Sequence, residues 1–292
     1  MNIQIIGSTQ DPWSAALQAS IPQKARARTV LLAGVRAQIF ATLFFWLARF
    51  RVLWLGSHET WGTMAKLFIR LASGLSHAIL APNQAIEAQY LKAGISDKKL
   101  ALIYPPCDPG ESGAMRDKRT FTIACDGETS IAHGLGIVMR AIRDSHDILR
   151  NIRLVIGGTI AERNRIEWLA QELGLQDSLK LVPARGYDWI ASGDLFLFMR
   201  SNNAPPSLSL MYALARGLPI IGNDAPGHRE FVVQHKNGIL LKDPNSDMLS
   251  QALINLARKP EWLAELGRES AQFAAERFST DAVQKKMEAL IP

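Results

Sequence analysis

The sequence predicts an α/β fold built as two doubly wound domains with parallel sheets. Short apolar runs of strand length recur along it and alternate with longer stretches of helical period, the pattern of parallel strands joined by crossover helices. A polar, glycine-containing break at residues 109–117, PGESGAMRD, splits that series in two. The third observation is the stretch 201–224, SNNAPPSLSLMYALARGLPIIGND, where loop, helix, glycine stop and buried strand follow one another.

The totals fit that architecture. The chain has 292 residues, 48% hydrophobic and 21% charged, which suits two packed domains and excludes a disordered chain. Its two cysteines, Cys107 and Cys125, exclude a disulfide framework and point to a reducing, cytoplasmic setting. The opening MNIQIIGS reads as a first strand, not as a signal peptide. The net charge of +6 is uneven. Up to Gly110 there are 11 Lys and Arg against 5 Asp and Glu, and the remainder carries 22 of each. Such asymmetry suggests an anionic partner surface. No RNA-binding motif accompanies it, so nucleic acid is not an expected partner.

In the first domain, strands are expected at residues 3–6, 29–33, 52–55, 78–81 and 100–104, with helices between the later ones. Residues 9–28 are polar and weakly patterned, and read as loop with at most a short helix. Residues 36–51, RAQIFATLFFWLARFR, form the most apolar helix. Arg36, Arg49 and Arg51 bound it, and Phe40, Phe44, Phe45, Trp46 and Leu47 exceed what one buried face needs. It is too short to cross a bilayer. It fits either a helix lying in a membrane interface or a core helix covering the sheet. The next strand ends in a turn presenting Ser57, His58 and Glu59, at the strand end where α/β sheets gather ligands.

In the second domain, strands are expected at 121–125, 152–156, 179–182, 194–198, 218–221 and 238–241. Helices are expected at 136–148, 161–173, 246–258 and 261–278, with a short one opening at Pro226-Gly227 and containing Glu230. Within 201–224, Pro205 and Pro206 suit a first helical turn, and Ser207 and Ser209 set hydroxyls beside its free N–H groups. Such a helix start can hold a phosphate. No GxGxxG, GxxxxGK[ST] or GxSxG pattern is present, which argues against nicotinamide enzymes, P-loop phosphotransferases and α/β-hydrolases. HxH, HExxH and CxxC spacings are absent too, so no metal or other cofactor is expected.

The order of these pieces resembles the retaining glycosyltransferases of family four. The resemblance runs from about Val52 to the end and rests on "VLWLGSHETW", "SHAILAPNQAIEAQYLKAGISDKKLALIYPPCD", "LVIGG" and, most specifically, "APPSLSLMYALARGLPIIGNDAPGHREFVVQHKNGILL". It implies a GT-B fold: two Rossmann-like domains with parallel sheets facing across a cleft. The N-terminal one, 1–112, would be reduced and face acceptor and membrane. Residues 113–277 would bind the nucleotide sugar, and the helix at 278–292 would return to the first domain.

The resemblance also implies the site. The donor diphosphate would meet the helix start at Ser207, Leu208 and Ser209, and the base would lie by Pro183 to Arg185. The family's Glu-x7-Glu pair falls here on Ala204 and Tyr212. Its Lys-Gly falls on His133 and Gly134, and its Arg near Asp126 or Glu128. Arg200 stands where the family often has Pro and is a candidate phosphate ligand. His58 matches a position where many members place a cleft-facing His, and is the candidate catalytic residue.

The implied activity is transfer of a sugar from a nucleotide-diphosphate-sugar substrate to a glycan or lipid-linked acceptor in cell-surface polysaccharide synthesis, at the inner membrane face through residues 36–51. The alternative is a catalytically degenerate relative acting as a binding or scaffold subunit, since four motif positions have lost or reversed their charge.

Overall fold

The computed structural model describes residues 4–6, 29–33, 38, 42, 46, 51–55, 63–109, 120–183, 186–199 and 207–290. The chain divides into two compact units, Met1–Pro106 with Glu276–Pro292, and Cys107–Ala275. Each has one parallel sheet.

The first unit contains β1 (Gln4–Ile6), β2 (Thr29–Ala33), β3 (Arg51–Leu55), α1 (Thr63–Ser73), β4 (Ala78–Ala81), α2 (Gln84–Lys92) and β5 (Leu100–Leu102). Its five described strands lie in sequence order, β1-β2-β3-β4-β5. Strand alternation sorts their side chains onto two faces. Val52, Trp54, Ile79 and Ala81 face one side and pack with Ile69 of α1 and with Ile86 and Tyr90 of α2. Leu53, Leu55, Ala78 and Leu80 face the other.

Of the apolar stretch 36–51, positions Gln38, Thr42 and Trp46 are described as helical, along with Arg51 at the start of β3. The first two are fully buried, and one turn apart they share a face. Gln38 Nε2 donates to the Leu55 carbonyl at 2.8 Å and accepts at Oε1 from the Tyr90 hydroxyl at 3.2 Å. Trp54 Nε1 donates to Thr42 Oγ1 at 2.9 Å, and Thr42 donates to the Gln38 carbonyl. Two polar positions of this very apolar stretch therefore point inward. Trp46 is 46% exposed. Phe40, Phe44, Phe45 and Leu47 lie outside the described residues.

The second unit contains β6 (Phe121–Asp126), α3 (Gly136–Ser145), β7 (Ile152–Gly158), α4 (Arg163–Glu172), β8 (Leu179–Pro183), β9 (Leu195–Phe198), α5 (Leu208–Ala215), β10 (Ile220–Asn223), α6 (Pro226–Arg229), β11 (Gly238–Leu241) and α7 (Ser246–Ala257). Then follow α8 (Pro260–Phe278) and α9 (Thr280–Leu290), the latter in the first unit. The strand order is β11-β10-β9-β6-β7-β8, all parallel. Chain order therefore reverses between β6 and β9, and the strand ends at such a switch point form a crevice. Thr122 N donates to Asp194 Oδ2 at 2.8 Å and ties the amino end of β9 to β6. On one face, Leu154, Ile156, Leu195 and Leu197 pack with Val138 and Ile142 of α3 and with Leu249 and Leu253 of α7. Ser145 and Ser250 link α3 to α7 at 3.0 Å.

Several expected bounds shift. The last strand of the first sheet stops at Leu102, two residues before Tyr104. The expected 218–221 strand starts at Ile220, because Leu218 N still donates to Ala213 O at 3.0 Å in the helix-closing turn. Helix α3 ends at Ser145, whose hydroxyl donates to the Ala141 carbonyl. Glu230 caps α6 instead of lying inside it. The units divide after Pro106 and before Glu276, against the expected 112 and 277.

The closing helix α9 covers the open face of the first sheet. Val283 and Met287 are fully buried against Leu53, Leu55, Leu80 and Ile103, and Phe278 meets the edge of Tyr104 at 6.2 Å. Met287→Ala leaves a cavity there and is expected to cost about 2–5 kcal/mol. Chemical denaturation measures this, and a change below about 0.5 kcal/mol contradicts the packing role.

Candidate donor site in the second unit

The site forms where the reversal puts the end of β6 beside the first turn of α5. Ser207 is the N-cap of α5, with an extended backbone at φ −88° and ψ 154°. Its Oγ accepts from Leu210 N at 3.3 Å and lies 3.0 Å from Ser209 Oγ. Ser209 donates its hydroxyl to Asp126 Oδ2. Asp126 is the last residue of β6 and is 3% exposed. Its other oxygen accepts from Glu128 N at 3.0 Å. A carboxylate is thus held at the positive end of α5, the place where an external anion would gain most.

The loop after β6 is fixed by close backbone approaches. Gly127 N donates to the Gly157 carbonyl at 2.8 Å. Gly134 has φ 143°, and a Cβ there would fall 2.6 Å from Met199 Cβ, so only glycine lets this loop rest on the end of β9. His133 lies on the π-helical turn Ile131–Leu135, and its side chain is outside the described residues. Below the loop, Trp189 is almost wholly buried; a Cβ on Gly157 would sit 2.1 Å from its ring.

One turn into α5, Tyr212 stacks on Tyr187, with ring centroids 4.4 Å apart and planes 17° from parallel. Burial first, then the negative charge of Asp126, pushes the Tyr187 phenol up to about 12. Burial first, then Cys107 and Asp108, raises Tyr212 as well. Both rings stay neutral near pH 7 and can donate or accept a hydrogen bond. Arg216 Nη2 donates to Asp188 Oδ1 at 3.1 Å beside this pair.

The expected site residues thus fall into three groups. Ser207, Leu208, Ser209 and Tyr212 stand together with Asp126, and Gly134 borders the same loop. Pro183 is the exposed last residue of β8, paired with Gly158. His58, Arg185, Arg200 and Ala204 lie outside the described residues. Sequence reading missed Tyr187, and missed His228, which is 1% exposed, bonds the Asn223 carbonyl through Nδ1 at 2.7 Å and meets Phe198 edge-on at 4.6 Å. Neither has a local signal; each is placed by a partner from another element.

The sequence pattern described as "Glycosyl transferases group 1" matches residues 116–273, more than half of the chain. The chain belongs to this family. The match spans β6 to α8 and so contains the whole site. Among curated relatives, a lipopolysaccharide core biosynthesis glycosyltransferase of Rhizobium meliloti is 26% identical over 166 residues, covering 56% of this chain and 47% of its own. An uncharacterized glycosyltransferase of Methanocaldococcus jannaschii is 22% identical over 229 residues, covering 74% and 57%. The chain therefore spans about half the length of the curated relatives it matches. Among solved structures, Anabaena HepE in complex with UDP superposes with a TM-score of 0.75 at 15% identity, covering 95% of this chain and 80% of that one. The two units are the Rossmann-like domains of a GT-B fold.

Neither cysteine suits a nucleophile. Burial, then Asp108, pushes Cys107 up to about 12, and burial, then Asp126, raises Cys125 further. A thiol pKa so far above 8 leaves almost no thiolate at that pH. Native protein with a disulfide reagent at pH 8 is expected to label neither cysteine rapidly, and both after unfolding. One fast equivalent in the native state contradicts this burial.

Proposed function

We propose that the chain transfers a sugar from a nucleoside-diphosphate-sugar to a glycan or lipid-linked acceptor in cell-surface polysaccharide synthesis. The observation that carries this reading is the start of α5 at the β6/β9 reversal, where Ser207 caps the first turn through Leu210 N and Ser209 stands beside it. The N–H groups of a helix start and the helix dipole suit the diphosphate that leaves in the reaction. Tyr212 offers a neutral phenol one turn on, for a hydroxyl of the nucleotide. His133 and Arg200 are the cations assigned to the phosphates, and His58 the residue assigned to the reacting sugar. Retention of anomeric configuration follows from the family resemblance. HepE, solved with UDP, lends its ligand class to the reading.

One observation favours a second reading, a degenerate binding or scaffold subunit. The Asp126 carboxylate already holds Ser209 at the helix start, and an incoming diphosphate meets its charge. Calorimetric titration with UDP and GDP separates the two. The enzyme reading expects micromolar binding of one nucleotide, and Asp126→Asn to tighten it at least about tenfold by removing a like charge. No heat at millimolar nucleotide from either protein leaves only the scaffold reading.

A further inference from the structure

We propose that α1 is a docking surface for an anionic lipid bilayer. The helix already meets the core through Ile69, which is fully buried. It nevertheless leaves Leu67, Phe68 and Leu71 at 51%, 49% and 65% exposed. These positions, i, i+1 and i+4, share one side of the helix. Single exposed apolar residues are ordinary, but three large ones on one helical face need a cover.

The charge around them identifies the cover. The charged residues of α1 are Lys66 and Arg70, both basic, both exposed and one turn apart. The Arg70 guanidinium reaches the end of α2, where a Cβ on Gly94 would lie 3.5 Å from its Nη1. There α2 adds Leu91, 44% exposed, and the exposed Lys92. Lys99 Nζ donates to the carbonyls of Gly74 and Ser76, at 3.3 and 2.5 Å, just past the last turn of α1. Residues 63–100 carry five Lys and Arg against Glu87 and Asp97.

A convex apolar stripe flanked by Lys and Arg is the chemistry of a helix lying in a lipid headgroup layer. A second copy on the same face would oppose like charges, whereas an anionic bilayer complements them and needs no pocket. The exposed apolar face thus sits on α1, while Gln38 and Thr42, described residues of the 36–51 stretch, are fully buried. This inference is independent of the sugar-transfer reading.

Flotation of the full chain tests it, using vesicles of phosphatidylcholine alone and of phosphatidylcholine with phosphatidylglycerol. The wild type is expected to float with the anionic vesicles, and less at high salt. Partitioning should fall at least about tenfold in Leu67→Ser/Phe68→Ser/Leu71→Ser and in Lys66→Glu/Arg70→Glu. Unchanged thermal melting of both variants shows that the fold survives, as expected for exposed positions. A wild type that stays down, or variants that float equally well, overturns the proposal. So does a dimeric mass that the triple-serine variant halves, because a second copy then covers the face.

Discussion

The hydrogen bond from Ser209 to Asp126 is the contact on which the second unit's chemistry turns. It joins the end of β6 to the first turn of α5, two pieces 83 residues apart in the chain. The order of the sheet makes it possible. Because β9 pairs with β6, the helix that follows β9 starts beside the last residue of β6. The first unit has no such reversal among its described strands, which run in sequence order. A crevice at strand ends therefore has its physical basis in the second unit, the part that carries the family match.

The same contact gives the site its unusual charge. An α-helix start invites an anion, and here the chain supplies one of its own. The neighbouring side chains add to this: Asp126 helps hold Tyr187 neutral, and Asp108 acts the same way on Tyr212. A glycosyltransferase working through this site must offset that negative charge with cations from the loops after β6 and β9. A subunit that only binds can keep it. Fold and family are common to both readings; the charge balance at the start of α5 separates them.

Much of the fold was legible because punctuation and period agreed. The strands at 29–33, 78–81 and 238–241 have the expected ends, bounded by loop residues or by glycine. Ser207 was recognisable as a cap from its place before an apolar helix, and Gly134 from its place in the family pattern. Long-range polar partners were not legible. Gln38 and Thr42 look like interruptions in an apolar helix, yet both are buried, because Trp54, Tyr90 and the Leu55 carbonyl wait for them. The Tyr187–Tyr212 stack joins residues from two elements and has no sequence period. Asp126 was visible as an acid near a family cation, but its bond to Ser209 depends on the sheet order. The α1 face shows the converse: its sequence, TMAKLFIRLAS, is rich in apolar residues, and only burial reveals which of them were left outside.

The proposed donor site joins the α5 start and the β6 loop into one anion site for a nucleoside diphosphate. Hydrogen exchange of backbone amides, followed with and without UDP, tests it residue by residue. Slower exchange on adding UDP is expected at residues 207–212 and 127–130, with little change in β1 to β5. Unchanged exchange in both segments, with protection appearing elsewhere, would contradict it.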